Sequence, residues 1–238
     1  METGGMTPWT HFPIIGFDTE TTGVNPSQDR LVTASVVVVD DGGVQTHYWL
    51  ADPEVEIPLQ AQQVHGISTE QARREGEPIR KVLDEVAQLL HLHLSQNHPV
   101  VAFNASFDLT LIETELERHG LDTLHDRLGS DIAPVIDPFM LDKSLDKFRR
   151  GKRNLESVAK HYGVWADDAF HNAEADVMVT LRVLGAMIRK YPQVATTDFE
   201  TLMQMQLEAY TDMTNYFAKK AIEAGRQPDT HVGWPVAQ

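Results

Sequence analysis

The chain has 238 residues, 42% of them hydrophobic and 23% charged, and a formal net charge of −15, so it can form one large domain or one domain with an appendage. The acidic balance argues against a protein that coats duplex nucleic acid through a basic surface, but it is compatible with an enzyme whose carboxylates hold cations. The absence of cysteine excludes disulfides and thiolate chemistry, and the absence of a long apolar run or leader pattern leads us to expect a cytoplasmic protein with no membrane association.

The first half of the chain has the composition of β-strands. Residues 12–18 (FPIIGFD) form a short apolar run that is typical of a buried strand. Residues 31–39 (LVTASVVVV) are rich in β-branched side chains, and residues 44–50 follow them after a D-D-G-G turn, which predicts an antiparallel hairpin. Residues 99–103 and 134–137 are two shorter strand candidates.

Helical patterns follow the hairpin and alternate with the shorter strands. Apolar residues recur at helical spacing, and most of these segments are preceded by a residue that can cap a helix or open its first turn. The predicted helices begin near Ser68, Pro78, Asn104, Asn154, Ala173 and Thr197. The last of them is predicted to run to about Gly225, after which an irregular tail follows.

This alternation predicts the fold class and a division of the chain. Strands alternating with helices indicate an α/β protein, and the hairpin makes the predicted sheet mixed rather than wholly parallel. The Y-P-Q sequence at 191–193 is the best candidate boundary. We therefore predict an α/β domain over residues 11–191 and a C-terminal helical extension with its tail over residues 192–238, packed on the core.

The sharpest chemical feature is the pair of acids in the sequence FDTETTG at 17–23. Side chains two residues apart on a strand point to the same face, so Asp18 and Glu20 present two carboxylates side by side at the end of a buried strand. Like charges at that distance repel, and burial increases the cost. Hard cations such as Mg²⁺ or Mn²⁺ would compensate it, although a lone D-x-E is more often a pair of solvated acids.

Two later segments also place acids at helix starts. In N-A-S-F-D at 104–108, Asn104 and Asp108 are four residues apart and lie on one helix face. In H-N-A-E-A-D at 171–176, Asn172 is a candidate helix cap, which leaves His171 in the preceding loop and Asp176 in the helix. Taken alone, each segment is more typical of a helix start that carries solvated polar groups than of a functional site.

Together, the three segments resemble the motifs of the DEDDh 3′→5′ exonucleases, the family of the proofreading (epsilon) subunit of bacterial DNA polymerase III. The family motifs D-x-E, N-x-x-x-D and H-x-A-x-x-D match Asp18 and Glu20, Asn104 and Asp108, and His171 and Asp176. Residues 57–68 resemble the family's I-P-x-x-A-x-x-V-H-G-I-[ST] loop, and residues 155–164 its L-x-x-L-x-x-x-Y-G-V helix, with Val158 replacing the second leucine. The resemblance covers about residues 13–190 and lacks none of the key acids.

The resemblance implies a fold and a set of residue roles. The fold is similar to ribonuclease H: a mixed five-stranded sheet with helices on both faces. Two divalent ions, Mg²⁺ or Mn²⁺, are implied, the first held by Asp18, Glu20 and Asp176 and the second by Asp18 and Asp108. His171 is implied to be the general base. Residues implied to contact the substrate are Thr19, Thr22, His65, Asn104 and Phe107, although His65 is alternatively a residue that only orders its loop.

The resemblance also implies an activity. Two cations can clamp the attacking and leaving oxygens of a phosphodiester, so we expect a DNA 3′→5′ exonuclease that releases nucleoside 5′-monophosphates from single-stranded 3′ ends. Association with a DNA polymerase and action alone are both open. The same chemistry on RNA is an alternative, because no residue indicates how a 2′-hydroxyl would be treated. A non-catalytic polymerase- or clamp-binding subunit is a third hypothesis, which the complete set of acids disfavours.

A basic segment lies between the second and third motifs of this acidic chain. It contains Lys143, Lys147, Arg149, Arg150, Lys152 and Arg153. Two interpretations stay open: a solvated loop, or a rim beside the site that binds phosphates.

Overall fold

A mixed sheet forms the centre of the molecule. The structure, a computed structural model, describes residues 8–164, 173–230 and 232–237. The strands are β1 (Ile14–Thr21), β2 (Leu31–Asp40), β3 (Gly43–Asp52), β4 (Glu77–Pro78), β5 (Val100–Val101) and β6 (Val135–Ile136). Their order in the sheet is β4-β3-β2-β1-β5-β6. Strand β2 is antiparallel to β1 and β3, whereas β5 runs parallel to β1 and to β6.

Helices cover both faces of this sheet. They are α1 (Leu59–His65), α2 (Thr69–Glu75), α3 (Ile79–Leu94), α4 (Ala105–Arg118), α5 (Leu124–Leu128), α6 (Pro138–Leu145), α7 (Leu155–His161), α8 (Ala173–Lys190), α9 (Gln193–Thr196) and α10 (Phe199–Glu223). None of the helices in the described ranges combines the length and apolar character needed to cross a bilayer.

The predicted fold class is confirmed, with differences in detail. The sheet has six strands rather than five, because the two-residue β4 pairs with β3. Helices α1, α5, α6 and α9 are additional to the predicted ones, and none of the four is longer than eight residues. The side chain of Ser68 caps α2 and that of Asn154 caps α7, as predicted. The cap of α10 is Asp198 and not Thr197, one residue later than expected.

Strand β1 divides the interior into two hydrophobic clusters. Ile15 and Phe17 are buried on the face that α3 and α4 cover. The intervening Gly16 faces α8, where a Cβ atom would lie 2.4 Å from Cγ1 of Val177 and 3.0 Å from Cδ1 of Leu181. The alternation of side chains along a strand therefore places the even-numbered residues of β1 on the α8 face.

The C-terminal region packs against both clusters. Leu202 of α10 is buried in the cluster beneath α8, whereas Met203, Tyr210 and Met213 contact the other. Trp234, which follows the helix, is buried in the cluster that contains Ile15 and Phe17. The expected helical extension is thus present and packed on the core, while the boundary at residue 192 stays a prediction.

The close approach at Gly16 generates a stability prediction. Gly16→Ala should destabilise the protein by about 1–3 kcal/mol, because its methyl group would overpack the contact between β1 and α8. Gly185→Ala is a matched control on α8, because the nearest heavy atom to its added Cβ would be Nη1 of Arg189 at 3.5 Å. We expect the control to stabilise by up to about 1 kcal/mol through helix propensity. Chemical denaturation of both variants measures these changes. If the free energy of unfolding of Gly16→Ala equals that of the wild type, the close packing of α8 on β1 is contradicted.

Candidate active site

Three carboxylates converge at one edge of the sheet. Asp18 and Glu20 lie on β1 and Asp176 lies in the first turn of α8, and each contributes an oxygen to a group whose members are all within 4.8 Å of one another. All three side chains are half-buried. The two β1 acids share the face of Gly16, and Asp176 directly precedes Val177, the residue that contacts Gly16. The packing of α8 on β1 therefore brings the third acid to the other two.

A fourth carboxylate, that of Asp108, reaches the same region from α4. Its Oδ1 accepts hydrogen bonds from the Thr19 backbone N–H at 3.0 Å and from Thr19 Oγ1 at 2.6 Å. Asp108 is almost fully buried, and its charge is felt by Asp18. Because Thr19 lies between Asp18 and Glu20, these two hydrogen bonds fix the start of α4 against the strand that carries the other acids.

Burial and mutual repulsion favour the protonated forms of these acids. Burial raises the pKa of Asp18 well above its usual value, and the charges of Asp108, Glu20 and Asp176 raise it further. Burial, followed by the charge of Asp176, raises the pKa of Glu20 to about 7. Burial also raises the pKa of Asp108 to about 7, although the hydrogen bonds from Thr19 oppose this. The cluster must therefore bind protons or cations to be stable at neutral pH.

The donor set fits the hard divalent ions that the family resemblance implies. The converging ligands are carboxylate oxygens, which Mg²⁺ and Mn²⁺ prefer over the nitrogen and sulfur donors of softer metals. Within the described ranges, this is the one group of three or more acidic, histidine or cysteine side chains close enough to share an ion. Asp18, Glu20 and Asp176 are therefore the candidate ligands of one ion.

Among the residues expected to contact the substrate, Thr19 and Thr22 already use their hydroxyl groups in hydrogen bonds within the protein. The Thr19 hydroxyl donates to Asp108, so its observed contact orients a carboxylate. Thr22 Oγ1 donates to Asp29 at 3.1 Å and accepts from the Arg30 N–H at 2.9 Å, which ties together the two ends of the loop between β1 and β2. Contact of these two threonines with a nucleotide stays a prediction.

His65 ends α1 and lies close to the end of β1. Its Nδ1 accepts from the Ile67 N–H at 3.1 Å, which is the loop-ordering role considered above. Its Nε2 is buried and has no hydrogen-bond partner among the described residues. Burial lowers the pKa of His65, and the nearby Thr21 backbone opposes this. A neutral imidazole that lies against the Thr21 backbone is compatible with both roles.

Asn104 and Phe107 stand at the start of α4. Asn104 adopts a left-handed conformation, with φ 64° and ψ 47°, and its side chain does not cap the helix, contrary to our expectation. Phe107 is half-buried directly before Asp108. The predicted base, His171, and the predicted cap, Asn172, lie outside the described residues.

The basic segment divides into buried and exposed cations. Arg149 and Arg153 both pair with the carboxylate of Asp142, which is 0% exposed, and Arg149 Nη2 lies 2.8 Å from its Oδ2. These two arginines therefore hold the loop between α6 and α7 together, and the idea that the whole segment is a phosphate-binding rim is too broad. Arg150 and Lys152 are exposed.

Two residues near the site were missed by the sequence analysis. Tyr48 on β3 lies in register with Ser35 on β2, which in turn lies in register with Asp18 on β1. Burial and the charges of Glu20 and Glu174 raise the pKa of Tyr48. Its half-exposed ring thus lies two strands from Asp18, where both of these charges act on it. Asp137 caps α6 and also binds backbone N–H groups at the start of α4. The Asp-Pro pair at 137–138 is a sequence pattern from which the cap of α6 could have been predicted.

Comparisons with known proteins agree with this geometry. A family model described as an exonuclease, RNase_T, matches residues 15–184. The PolC-type DNA polymerase III of Thermotoga petrophila is 28% identical over 205 residues, which are 85% of this chain and 13% of that protein. Exonuclease DPD1, chloroplastic/mitochondrial, of Arabidopsis thaliana is 27% identical over 176 residues, which are 71% of this chain and 54% of that protein.

Solved structures show the same fold. E. coli Exonuclease I in complex with a dA16 oligonucleotide superposes with a TM-score of 0.67 at 18% identity, over 84% of this chain and 45% of the other. The chain thus spans about half the length of its structural neighbours or less, and a small fraction of the PolC-type polymerases. Because the family match covers most of the chain, and the acidic cluster lies within it, this chain belongs to the RNase_T exonuclease family.

Proposed function

We propose that this chain hydrolyses DNA from its 3′ end with the help of two divalent ions, Mg²⁺ or Mn²⁺, and releases nucleoside 5′-monophosphates. The observation that carries the proposal is the convergence of Asp18, Glu20 and Asp176 to within 4.8 Å, with Asp108 fixed beside them by Thr19. A protein that only binds a polymerase or a clamp has no need for such a costly concentration of charge.

The residues divide the chemistry among themselves. Asp18, Glu20 and Asp176 would hold one ion, and Asp18 with Asp108 the other. When bound, such ions make water more acidic and stabilise the charge that develops on the leaving oxygen. His171 accepts the proton of the attacking water, while the bond between phosphorus and the 3′ oxygen of the preceding nucleotide breaks. Its assignment as general base depends on the family motif and on the suitability of an imidazole at neutral pH.

DNA is the proposed substrate. Its terminal nucleotide would lie near Thr19, Thr22 and His65 and its backbone near Asn104, with Phe107 as a further contact. Support comes from the relatives, of which the PolC-type proteins are DNA polymerases by name, and from the fold neighbour that binds a dA16 oligonucleotide. Association with a DNA polymerase is part of the proposal on the same ground. RNA is the alternative substrate, and the first experiment below separates the two.

The activity test uses purified protein and end-labelled oligonucleotides of one sequence as single-stranded DNA, duplex DNA and RNA. We expect single-stranded DNA to be shortened one nucleotide at a time from the 3′ end in Mg²⁺ or Mn²⁺, and excess EDTA to abolish this. A 3′-blocked strand should resist, while a 5′-blocked strand should be degraded. Preferential hydrolysis of RNA would show that RNA, and not DNA, is the substrate. Cleavage of a closed circle would show that the protein is an endonuclease.

The raised carboxyl pKa values predict how stability depends on pH. Without divalent ions, the folded protein keeps protons that the unfolded chain releases between the ordinary carboxyl values near 4 and about 7, so these groups should lower the stability as the pH rises through that window. Asp18→Asn removes one repelling charge. At pH 8 in EDTA it should therefore be more stable than the wild type, by about 1 kcal/mol or more.

The same variant should lose the stabilisation that Mn²⁺ gives the wild type, because only the folded state assembles the ligands. Chemical denaturation at pH 5 and pH 8, with EDTA or Mn²⁺, measures both effects. Glu56→Gln, which neutralises an exposed acid outside the cluster, is the matched control and should stay within about 0.5 kcal/mol of the wild type. An Asp18→Asn protein that is no more stable than the control in EDTA would contradict the repulsion within the cluster.

Substitution of His171 and of Asp176 should have effects of different kinds. His171→Ala should lower kcat by about 10²–10⁴, as expected for the loss of a general base, and should leave Mn²⁺ binding nearly intact. Asp176→Ala removes a candidate ligand, so metal affinity and kcat should fall together. Calorimetric titration with Mn²⁺ distinguishes the two. If His171→Ala loses the metal as severely as Asp176→Ala, His171 is a ligand and another group accepts the proton.

A further inference from the structure

Asp137 is a buried carboxylate that links the starts of two helices. It is 0% exposed, and its Oδ1 accepts from the backbone N–H groups of Asn104 and Phe139, both at 2.9 Å. Its Oδ2 accepts from the Ala105 N–H at 3.0 Å. Burial raises the pKa of Asp137 to about 6, while these N–H groups oppose the rise. Among the described residues, no lysine, arginine or histidine forms an ion pair with it, so backbone N–H groups and helix N-termini compensate its charge.

This carboxylate accepts from backbone N–H groups at the start of α4, where the Asn104 side chain forms no cap. The left-handed conformation of Asn104 is one that most residues avoid, although asparagine tolerates it. Asp137 supplies the acceptors for the N–H groups of Asn104 and Ala105, whereas a conventional cap would accept from the second or third helical N–H. Asp108 follows Ala105 by three residues, within the first turn of α4, so the hold on Ala105 also fixes the position of Asp108.

Gln206 of α10 in turn fixes Asp137. Gln206 is also 0% exposed, and its Oε1 accepts from the Asp137 N–H at 2.5 Å. Its Nε2 donates to the Val135 carbonyl at 3.1 Å and to the Leu202 carbonyl at 2.9 Å. The amide side chain has the donor and acceptor of a peptide group. It therefore pairs with the outer edge of β6 in the way that a neighbouring strand would.

We infer that Gln206 and Asp137 are positioning residues, through which the C-terminal helix α10 fixes Asp108 in the catalytic geometry. The connection is continuous: Gln206 binds Asp137, Asp137 binds the start of α4, and Asp108 on α4 binds Thr19 between the two acids of β1. The inference rests on the proposed function, because it assigns a catalytic purpose to this network. A displacement of about 1 Å is enough to cost a reaction as much as 10²-fold in rate.

The test compares Asp137→Asn and Gln206→Met with Leu202→Ala. Gln206→Met keeps the volume and removes the hydrogen bonds. Leu202→Ala weakens the packing of the same helix but keeps the backbone carbonyl that accepts from Gln206. We expect kcat to fall about 10-fold in Gln206→Met and about 100-fold in Asp137→Asn, with KM changed less than about threefold. Leu202→Ala should lower the Tm while it keeps kcat within about twofold of the wild type.

Two further readouts do not depend on turnover. Backbone hydrogen exchange of residues 104–108 should accelerate in Asp137→Asn and Gln206→Met but not in Leu202→Ala, and calorimetry should show weaker Mn²⁺ binding in the first two variants. If Asp137→Asn does not fold, Gln206→Met decides alone. Network variants that match Leu202→Ala in kcat and exchange would overturn the inference. A wild type that hydrolyses no oligonucleotide refutes the proposed function instead, and exchange and Mn²⁺ binding then still test whether the network positions Asp108.

Discussion

Repulsion among clustered, half-buried carboxylates is the constraint on which the rest of the structure depends. Two unit charges no more than 4.8 Å apart repel by at least about 3 kcal/mol at an effective dielectric constant of 20. Three such pairs among Asp18, Glu20 and Asp176 approach the whole net stability of a domain, which is about 5–15 kcal/mol. The cluster therefore cannot hold itself together. Its geometry must be imposed by contacts that are favourable without it, and its charge must be balanced by protons or cations.

The contacts that impose this geometry are made by the uncharged residues Gly16 and Thr19, and each positions a different helix. The absence of a side chain at Gly16 lets α8 approach β1, which delivers Asp176. Thr19, whose side chain points away from the α8 face, binds Asp108 through both its backbone and its hydroxyl. Alternate residues of one strand point to opposite faces of the sheet. The five residues from Gly16 to Glu20 therefore position acids from β1, α4 and α8.

The sequence predicts local geometry well and long-range pairing poorly. The spacing of Asp18 and Glu20, the hairpin of β2 and β3, and helix α8 all follow from periodicity. The partners of Thr19, Asn104 and Arg153 do not, because Asp108, Asp137 and Asp142 meet them only after the chain has folded back on itself. Asp142 lies on the short helix α6, which lacks enough turns to establish a period, so a chain segment rich in arginine gave no indication that two of its cations are internal.

The edges of the sheet explain why the C-terminal helix is closely bound to the part of the chain that carries the acids. An open edge strand presents unpaired backbone groups that invite association. At one edge, β4 is only two residues long and ends in Pro78, which has no N–H to offer. At the other edge, β6 is covered by side chains of α10: Met203 Sδ accepts from the Val135 N–H at 3.3 Å, and Gln206 binds the Val135 carbonyl and the Asp137 N–H. Protection of this edge and fixation of the start of α4 therefore use the same residues, so removal of α10 would expose β6 and release Asp137 together.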